Sequence, residues 1–305
     1  MNVNKIIVTR GAFKEKQYTF LVSFDENDNP LDIIELNSTL IGQTYLATVE
    51  KVLKDVDSSI LKLSSGCKGY IENKKLNSNE FVLYQSTKNK VSQGDKFFVE
   101  IVQDKKENKP YTCSFKGLNC VEDNSYSATI KAYCDFVGYS GKIISDICQE
   151  LSLIDVFGDR IIEYDKAFLL WDVYSISSLL EKAIRPIVYL KNDANIIIEQ
   201  TKAATIIDVN SASSKKKTSA FESNYLAAKE IMYQLRLREI SGIVIIDFLK
   251  MNKEEELKLL EFLKELAKED SCFCGVYGFT RLGLFELTRA RKRTPLAEII
   301  RVKHF

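Results

Sequence analysis

Three side chains with oxygen donors, Asp208, Asn210 and Asp247, have the types and spacing to bind a hard divalent cation. Asp208 ends one short apolar run, residues 206–207, and Asp247 ends another, residues 243–246. Asn210 lies two residues after Asp208, on the same side of a strand. Mg²⁺ takes one or two carboxylates and keeps its remaining positions for water and phosphate. The alternative is that each acid merely ends a strand or caps a helix, but two acids at matched positions favour the metal site.

Two strands joined by a helix are predicted to position these side chains. Both apolar runs are short, continuous and β-branched, which predicts strands buried on both faces of a sheet. Residues 219–240 have helical spacing, with Ser219 and Glu222 as a capping box and Gly242 as a stop signal. A strand–helix–strand unit has parallel strands and binds ligands at their carboxyl ends. Because such strands lie about 4.8 Å apart, Asp208 and Asp247 would share one cation.

Three stretches around these residues resemble the catalytic domain of the ribonuclease E/G family. They read EQTKAATIIDVNSASS, FESNYLAAKEIMYQLRLREISGIVIIDFLKM and GFTRLGLFELTRARKRTPL, the last of which the resemblance assigns to a helix. The resemblance implies a Mg²⁺-dependent endoribonuclease that cleaves single-stranded RNA in RNA processing or decay, with Mn²⁺ as a substitute ion. It implies that Asp208 and Asp247 are catalytic metal ligands and that Asn210 supports them.

Two changes near this site favour a second hypothesis, an RNA-binding protein with the same fold and weak or no cleavage. Lys250 stands where the family has a third aspartate, and Ala212 stands where a glycine is common. The intact Asp208, Asn210 and Asp247 favour the enzyme.

Composition restricts the class of protein. The chain has 305 residues, 45% hydrophobic and 28% charged, as in ordinary globular proteins. No run approaches the ~18 apolar residues of a membrane span, so no membrane partner is expected. The sequence starts without a signal-peptide pattern, and its seven cysteines have no framework spacing, which predicts free thiols in the cytoplasm. The net charge is only +1, so RNA would have to meet local basic patches.

The predicted fold class is α/β with an inserted all-β S1 (OB-type) barrel. The barrel is placed at residues 38–120 on short strands with turn residues between them. By resemblance, residues 1–37 and 121–203 form a ribonuclease-H-like subdomain with a reduced sensor region, and residues 204–305 form the catalytic subdomain. A hairpin at residues 186–191 and 195–200 is predicted to complete the sheet begun by residues 1–36.

Two groups of residues are candidates for RNA contacts. In the barrel, Tyr70 matches a family aromatic that contacts RNA and Lys109 matches a basic contact, although Tyr70 could simply pack in the barrel and Lys109 could be solvated. Between residues 281 and 303, seven basic residues face two acidic ones, which suits a phosphate backbone. The candidate phosphate contacts there and in the preceding Leu-Arg-Leu-Arg segment are Arg236, Arg238, Arg289, Arg291 and Arg293. The alternative for the basic residues 281–303 is that they form salt bridges on a helix surface. The lysines 215–217 form a separate group, which is either a solvated charge cluster or steers phosphate.

The sequence departs from the family in two further places. Residues 119–165 are short and lack the Arg-Thr pair with which the family binds a 5′-monophosphate, so little dependence on the 5′ end is expected. The Cys-Pro-x-Cys zinc link is also missing, so no zinc is expected and any homodimer would not form through that link. Cys272 and Cys274 are interpreted as small buried hydrophobic residues rather than metal ligands. His304 is the only histidine, which disfavours a histidine acid or base.

Overall fold

The computed structural model describes residues 2–85, 90–118, 120–211 and 219–300. The strands within these ranges are β1 (Lys5–Phe13), β2 (Lys16–Phe24), β3 (Pro30–Glu35), β4 (Thr44–Leu53), β5 (Ser58–Leu63), β6 (Lys68–Glu72), β7 (Lys96–Gln103), β8 (Tyr111–Gly117), β9 (Ile143–Ser145), β10 (Ile161–Glu163), β11 (Ile187–Tyr189), β12 (Asn195–Gln200), β13 (Thr205–Asn210), β14 (Gly242–Asp247), β15 (Cys274–Phe279) and β16 (Phe285–Arg289). The α-helices are α1 (Tyr126–Val137), α2 (Leu153–Phe157), α3 (Leu170–Val173), α4 (Ile176–Ile184), α5 (Ala220–Leu237), α6 (Lys253–Lys268) and α7 (Leu296–Ile299).

The strands form two open sheets and one closed barrel. The N-terminal sheet has the order β10-β9-β1-β2-β3, and apolar side chains are buried on both of its faces. Ile7 and Phe20 pack on one face with Trp171, whereas Ile6 and Leu21 pack on the other face in a separate cluster. Residues far apart in the chain therefore complete a sheet that the first 36 residues could not stabilise alone.

The barrel closes in the order β4-β5-β6-β8-β7, and all five strands lie within residues 38–120. Alternate residues such as Val49, Leu61, Ile71 and Phe97 fill its interior, as the two-residue period of a strand requires. The predicted mixed α/β fold with a closed five-stranded barrel is confirmed, and the strand order is compatible with an OB-type barrel.

The C-terminal sheet has the order β11-β12-β13-β14-β16-β15. Its β13 and β14 are parallel and are connected through α5, as the crossover rule predicts. The side chains on one face, including Ile207, Val209, Val244 and Ile246, pack against α5 and α6. The prediction that these strands are buried on both faces is wrong, because Ile206 and Ile243 on the other face are 48% and 51% exposed. We call this side of the sheet, which carries Ile206, Asp208, Ile243 and Asp247, the open face.

Two further sequence predictions are corrected by the strand pairing. The β11–β12 hairpin does not complete the N-terminal sheet, because β12 pairs with β13 from Asn195–Asn210 to Gln200–Thr205. The segment predicted as a helix around residues 283–289 contains β16, which pairs with both β14 and β15. Phe285, Leu287 and Arg289 are buried and alternate with Glu286 and Thr288, which is the period of a strand.

Within the described ranges, no helix is long and apolar enough to cross a membrane.

Candidate metal site and nucleic-acid surface

The two carboxylates are neighbours across the parallel pair of strands. Asp208 lies directly opposite Asp247 in the β13–β14 register, and Asp247 is exposed while Asp208 is partly buried. Within the described part of the chain, neither side chain has a lysine or arginine at ion-pair distance. Within the described ranges the carboxylate pair therefore has no salt-bridge partner, at the place where the sequence predicts a shared cation.

Asn210 fixes the orientation of the first carboxylate. Its Nδ2 donates a hydrogen bond of 2.8 Å to Asp208 Oδ2 and lies 3.5 Å from Asn195 Oδ1 on β12. Because these contacts use the nitrogen, the amide oxygen can serve as a neutral metal ligand beside the carboxylate. The structure thus brings together all three residues of the predicted metal site.

A buried asparagine that the sequence analysis missed holds the chain beyond Asp247. Asn224 on α5 donates to the Leu249 carbonyl at 2.8 Å and accepts from the Leu249 backbone N–H at 3.0 Å. This pair of hydrogen bonds ties the loop after β14 to the helix that connects the two strands. Asn224 is fully buried. Its position within the apolar pattern of the predicted helix was the sequence signal, because a buried polar side chain must be hydrogen-bonded.

The donor set suits Mg²⁺ better than zinc. Among the described residues, no group of three or more histidine, cysteine, aspartate or glutamate side chains could hold a metal. Two carboxylates and an amide oxygen are too few for a structural zinc site, which uses four cysteine or histidine ligands. They match Mg²⁺, which is bound through one or two carboxylates and completes its octahedron with water and phosphate oxygens.

Four of the five arginines predicted to contact phosphate are buried. Arg236, Arg238, Arg289 and Arg293 are each exposed by 6% or less. Arg236 forms a two-pronged ion pair with Asp32, with Nε–Oδ1 and Nη2–Oδ2 distances of 3.0 and 2.6 Å. The role predicted for Arg236, Arg289 and Arg293 is corrected on this ground, because their guanidinium groups are paired with carboxylates inside the fold. Arg238 is buried as well, so it does not lie on a surface that the backbone of an RNA strand could cross.

Arg289 and Arg293 are also held by internal carboxylates. Arg289 Nε donates to Asp270 at 2.8 Å, and Arg293 Nη1 donates to Glu239 at 2.8 Å. Burial alone would lower the pKa of Arg289, but Asp270 and Glu239 raise it overall. Such pairs keep the guanidinium charged inside the protein and connect β16 to the end of α5.

The fifth arginine, Arg291, and Lys109 meet in a cleft of about 680 Å³. Lys109 is exposed on the loop between β7 and β8, and Arg291 donates a hydrogen bond to the Lys105 carbonyl of that loop. Thr205 and Gly242, the first residues of β13 and β14, also line the cleft. It therefore lies at the opposite end of these strands from Asp208 and Asp247, about 10 Å away along β13.

Tyr70, the candidate stacking residue, lies on the surface of the barrel. It lies on β6, is partly exposed, and its hydroxyl is 2.8 Å from Ser58 Oγ. A partly exposed ring next to a polar group suits both predicted roles, base stacking and barrel packing. Lys250 is exposed three residues after the end of β14.

All seven cysteines are free, as the sequence analysis predicts. Cys272 is buried and Cys274 is partly buried, and burial raises the pKa of the Cys274 thiol to about 12. Both thiols are thus protonated at neutral pH, which fits their predicted role as small apolar residues. Ala212, the lysines 215–217 and His304 lie outside the described residues.

Known proteins match part of this chain. The model of the ribonuclease E/G family matches residues 85–292. Ribonuclease G of Haemophilus influenzae is 35% identical over 147 residues, which is 47% of this chain and 30% of that protein. A ribonuclease E/G-like protein of Porphyra purpurea is 42% identical over 135 residues, 42% of this chain and 26% of that protein.

The region shared with this chain covers only 30% of the first relative and 26% of the second. A solved multidomain protein with nucleic acid binding domains from Streptococcus pneumoniae covers 61% of this chain and 57% of its own, with 12% identity and a TM-score of 0.21. That score is too low to add to the assignment, which rests on the family match over more than half of the chain. The chain belongs to the ribonuclease E/G family.

Proposed function

We propose that this protein is a Mg²⁺-dependent endoribonuclease that cleaves single-stranded RNA. The observation that carries the proposal is the position of Asp208 opposite Asp247 on the open face, with Asn210 hydrogen-bonded to Asp208 and no protein cation beside the pair in the described residues. Relatives named ribonuclease E and ribonuclease G support the same class of reaction.

Asp208 and Asp247 would hold the ion, and Mn²⁺ would serve as a substitute because it accepts the same oxygen ligands. When bound, Mg²⁺ supplies an activated water and electrostatic stabilisation of the charge that develops on the scissile phosphate. Asn210 keeps the Asp208 carboxylate in one orientation, and Asn224 keeps the chain after Asp247 in place. No zinc is needed by this donor set.

The open face offers RNA a water-accessible approach to the two carboxylates. Ile206 and Ile243 leave apolar surface beside them, on which an unpaired base can lie. A partly exposed Tyr70 on the barrel supplies a stacking surface, and Lys109 and Arg291 supply positive charge in the cleft. These features support a single strand as substrate, because its bases are free to stack, whereas those of a duplex are paired.

The test is a cleavage assay beside a binding assay. Purified wild-type protein and Asp247→Asn are incubated with a labelled unstructured RNA in Mg²⁺ and in EDTA. We expect wild-type cleavage only with Mg²⁺, and a loss of about 100-fold or more in Asp247→Asn, because the ion supplies several kcal/mol of transition-state stabilisation. The dissociation constant for RNA in EDTA should change by less than about threefold, since the loss of one carboxylate reduces repulsion only slightly.

Asp193→Asn is the matched control. Asp193 is exposed in the turn between β11 and β12 and has a positive φ of 63°, which asparagine also tolerates. This variant removes the same charge without touching the carboxylate pair, so it should cleave like wild type. Equal cleavage by Asp247→Asn and wild type would remove Asp247 from the metal site. Binding without cleavage by wild type itself would favour the second hypothesis, an RNA-binding protein with this fold.

A further inference from the structure

A cavity of about 320 Å³ lies between the end of α4, the end of β12 and the residue that follows α5. The apolar part of its wall consists of Ala183, Ile184, Pro186, Ile198 and Ala297. The polar part consists of Arg238, Gln200, Thr201 and Glu199, of which Glu199 is exposed to solvent. Its volume lies near the lower limit of the roughly 300–1,000 Å³ that small-molecule sites occupy. It is larger than a bare phosphate ion requires.

Arg238 differs from the other buried arginines in having no carboxylate partner in the described part of the chain. Its Nε donates to Gln234 Oε1 at 2.6 Å, and that contact is to a neutral amide. Its Nη2 is buried and has no hydrogen-bond partner among the residues that the structure describes. Arg236, Arg289 and Arg293, in contrast, each pair with an aspartate or a glutamate.

An unpaired guanidinium inside a protein costs free energy that the fold normally avoids. Burial lowers the pKa of Arg238 to about 10 against a smaller opposing effect of the Glu230 charge, and the group is still positively charged at neutral pH. A buried charge without a salt-bridge partner is destabilising, so a bound anion would recover stability that the free protein lacks. The planar guanidinium matches the geometry of phosphate oxygens particularly well.

We propose that this cavity binds a small phosphomonoester, whose phosphate pairs with Arg238 and whose organic part packs on the apolar wall. The site is separate from the proposed cleavage site. Gln200 pairs with Thr205 at the start of β13, whereas Asp208 pairs with Ile197, about 10 Å along the strands. The proposal therefore stands whether or not the protein cleaves RNA.

The test is titration calorimetry at constant ionic strength with three probes: adenosine 5′-monophosphate, inorganic phosphate and adenosine. We expect the nucleotide to bind wild-type protein at least tenfold more tightly than inorganic phosphate, and adenosine not to bind. Arg238→Met keeps the length of the side chain without its charge and should weaken nucleotide binding at least tenfold. Without ligand, the Arg238→Met variant should melt at the same temperature as wild type or higher, since the substitution removes a buried charge that has no salt-bridge partner.

Two further variants separate a true site from other effects. Arg185→Met removes a charge from an exposed residue beside the cavity wall and should leave nucleotide binding unchanged. Ala297→Leu fills the cavity while keeping Arg238, and it should weaken nucleotide binding at least tenfold even if Arg238→Met folds poorly. The proposal is overturned if wild type binds neither phosphate probe, if adenosine binds as tightly as its monophosphate, or if Arg185→Met loses as much affinity as Arg238→Met.

Discussion

The two ends of the C-terminal sheet differ in whether their charged side chains are buried and paired. Near the start of β14, Arg289 is 2% exposed and pairs with Asp270 and Glu239. At the far end of β14, Asp208 and Asp247 are accessible and have no cation beside them in the described chain. At the Arg289 end the charges are thus buried and paired within the protein. At the other end the two carboxylates remain accessible to a ligand.

The paired charges connect parts of the chain that are far apart in sequence. Asp32 on β3 binds Arg236 at the end of α5 and also accepts a hydrogen bond of 2.6 Å from the Tyr133 hydroxyl on α1. Burial alone would raise the pKa of Asp32, but the hydrogen bond and charge of Arg236 outweigh it and hold the pKa below its ordinary value. This cluster therefore attaches the N-terminal sheet to the helix that positions the candidate metal site.

Breaking the buried pair should give the largest effect. In Arg236→Met, Asp32 would remain buried without its cation, so we expect a loss of about 3–5 kcal/mol in the free energy of unfolding. Denaturant titration would measure it. The double variant Asp32→Leu with Arg236→Met should be markedly more stable than the single one, because no charge is left unpaired. A loss below about 1 kcal/mol in Arg236→Met would contradict the structural role of this arginine.

The sequence predicts the local parts of this arrangement well. The β-branched runs before Asp208 and Asp247 are strands, and the Ser219 hydroxyl caps α5 by accepting the Glu222 backbone N–H. Once a strand, a helix and a strand are recognised, the parallel crossover places both acids at one end of the sheet without further information.

The long-range parts could not be predicted. Arg236 and Arg238 look alike in sequence, and nothing in their spacing shows that Asp32, 204 positions earlier, pairs with Arg236 alone. Hairpin β11–β12 likewise has apolar residues that fit either sheet, so its partner strand is decided by packing against α5. Both errors concern contacts between distant segments, which single-sequence patterns do not contain.

Asp104 gives a second, smaller test, because it is a buried carboxylate whose Oδ2 has no hydrogen-bond partner in the described chain. Burial raises its pKa to about 6, above the value of an unfolded chain. The protonated form is therefore favoured by folding, and stability is lost as pH rises from about 4 through 6. Asp104→Asn should remove this loss and be more stable than wild type by roughly 2–3 kcal/mol at pH 7.

The measurement is the free energy of unfolding of both proteins between pH 4 and 7. The difference between them should shrink towards zero as the pH falls to 4. Parallel curves across the whole range would show that Asp104 does not titrate in the way that its burial implies.

Mg²⁺ should stabilise the wild-type protein by about 1.4 kcal/mol at ten times its dissociation constant, since it binds only the folded state. Asp208→Asn should abolish this increase, and in EDTA it should be at least as stable as wild type because the two carboxylates repel each other. Thermal unfolding with and without Mg²⁺ tests both statements, with Asp193→Asn as the control that keeps the increase. A full Mg²⁺ effect in Asp208→Asn would place the ion elsewhere.

The smallest effect is expected at the 5′ end of the RNA. Arg160 is the only arginine between Gly11 and Ile184, and it is already used by the fold. Its Nε donates to the Gly141 carbonyl and its Nη2 to the Tyr139 carbonyl, at 3.2 and 3.0 Å. Arg160 thus resembles the buried, paired arginines, whose N–H groups bind partners within the protein. Its Nε and Nη2 are not available for a two-pronged hydrogen bond to a terminal phosphate.

Cleavage rates of 5′-monophosphate and 5′-hydroxyl forms of one RNA should therefore differ by less than about threefold, or roughly 0.6 kcal/mol. Arg160→Lys keeps the charge but loses the two-carbonyl geometry, so it should lower stability without changing this ratio. A preference of tenfold or more for the monophosphate, about 1.4 kcal/mol, would show that another group binds the terminal phosphate. If Arg238→Met then removed that preference, the cavity beside Arg238 would be the place where the RNA end binds.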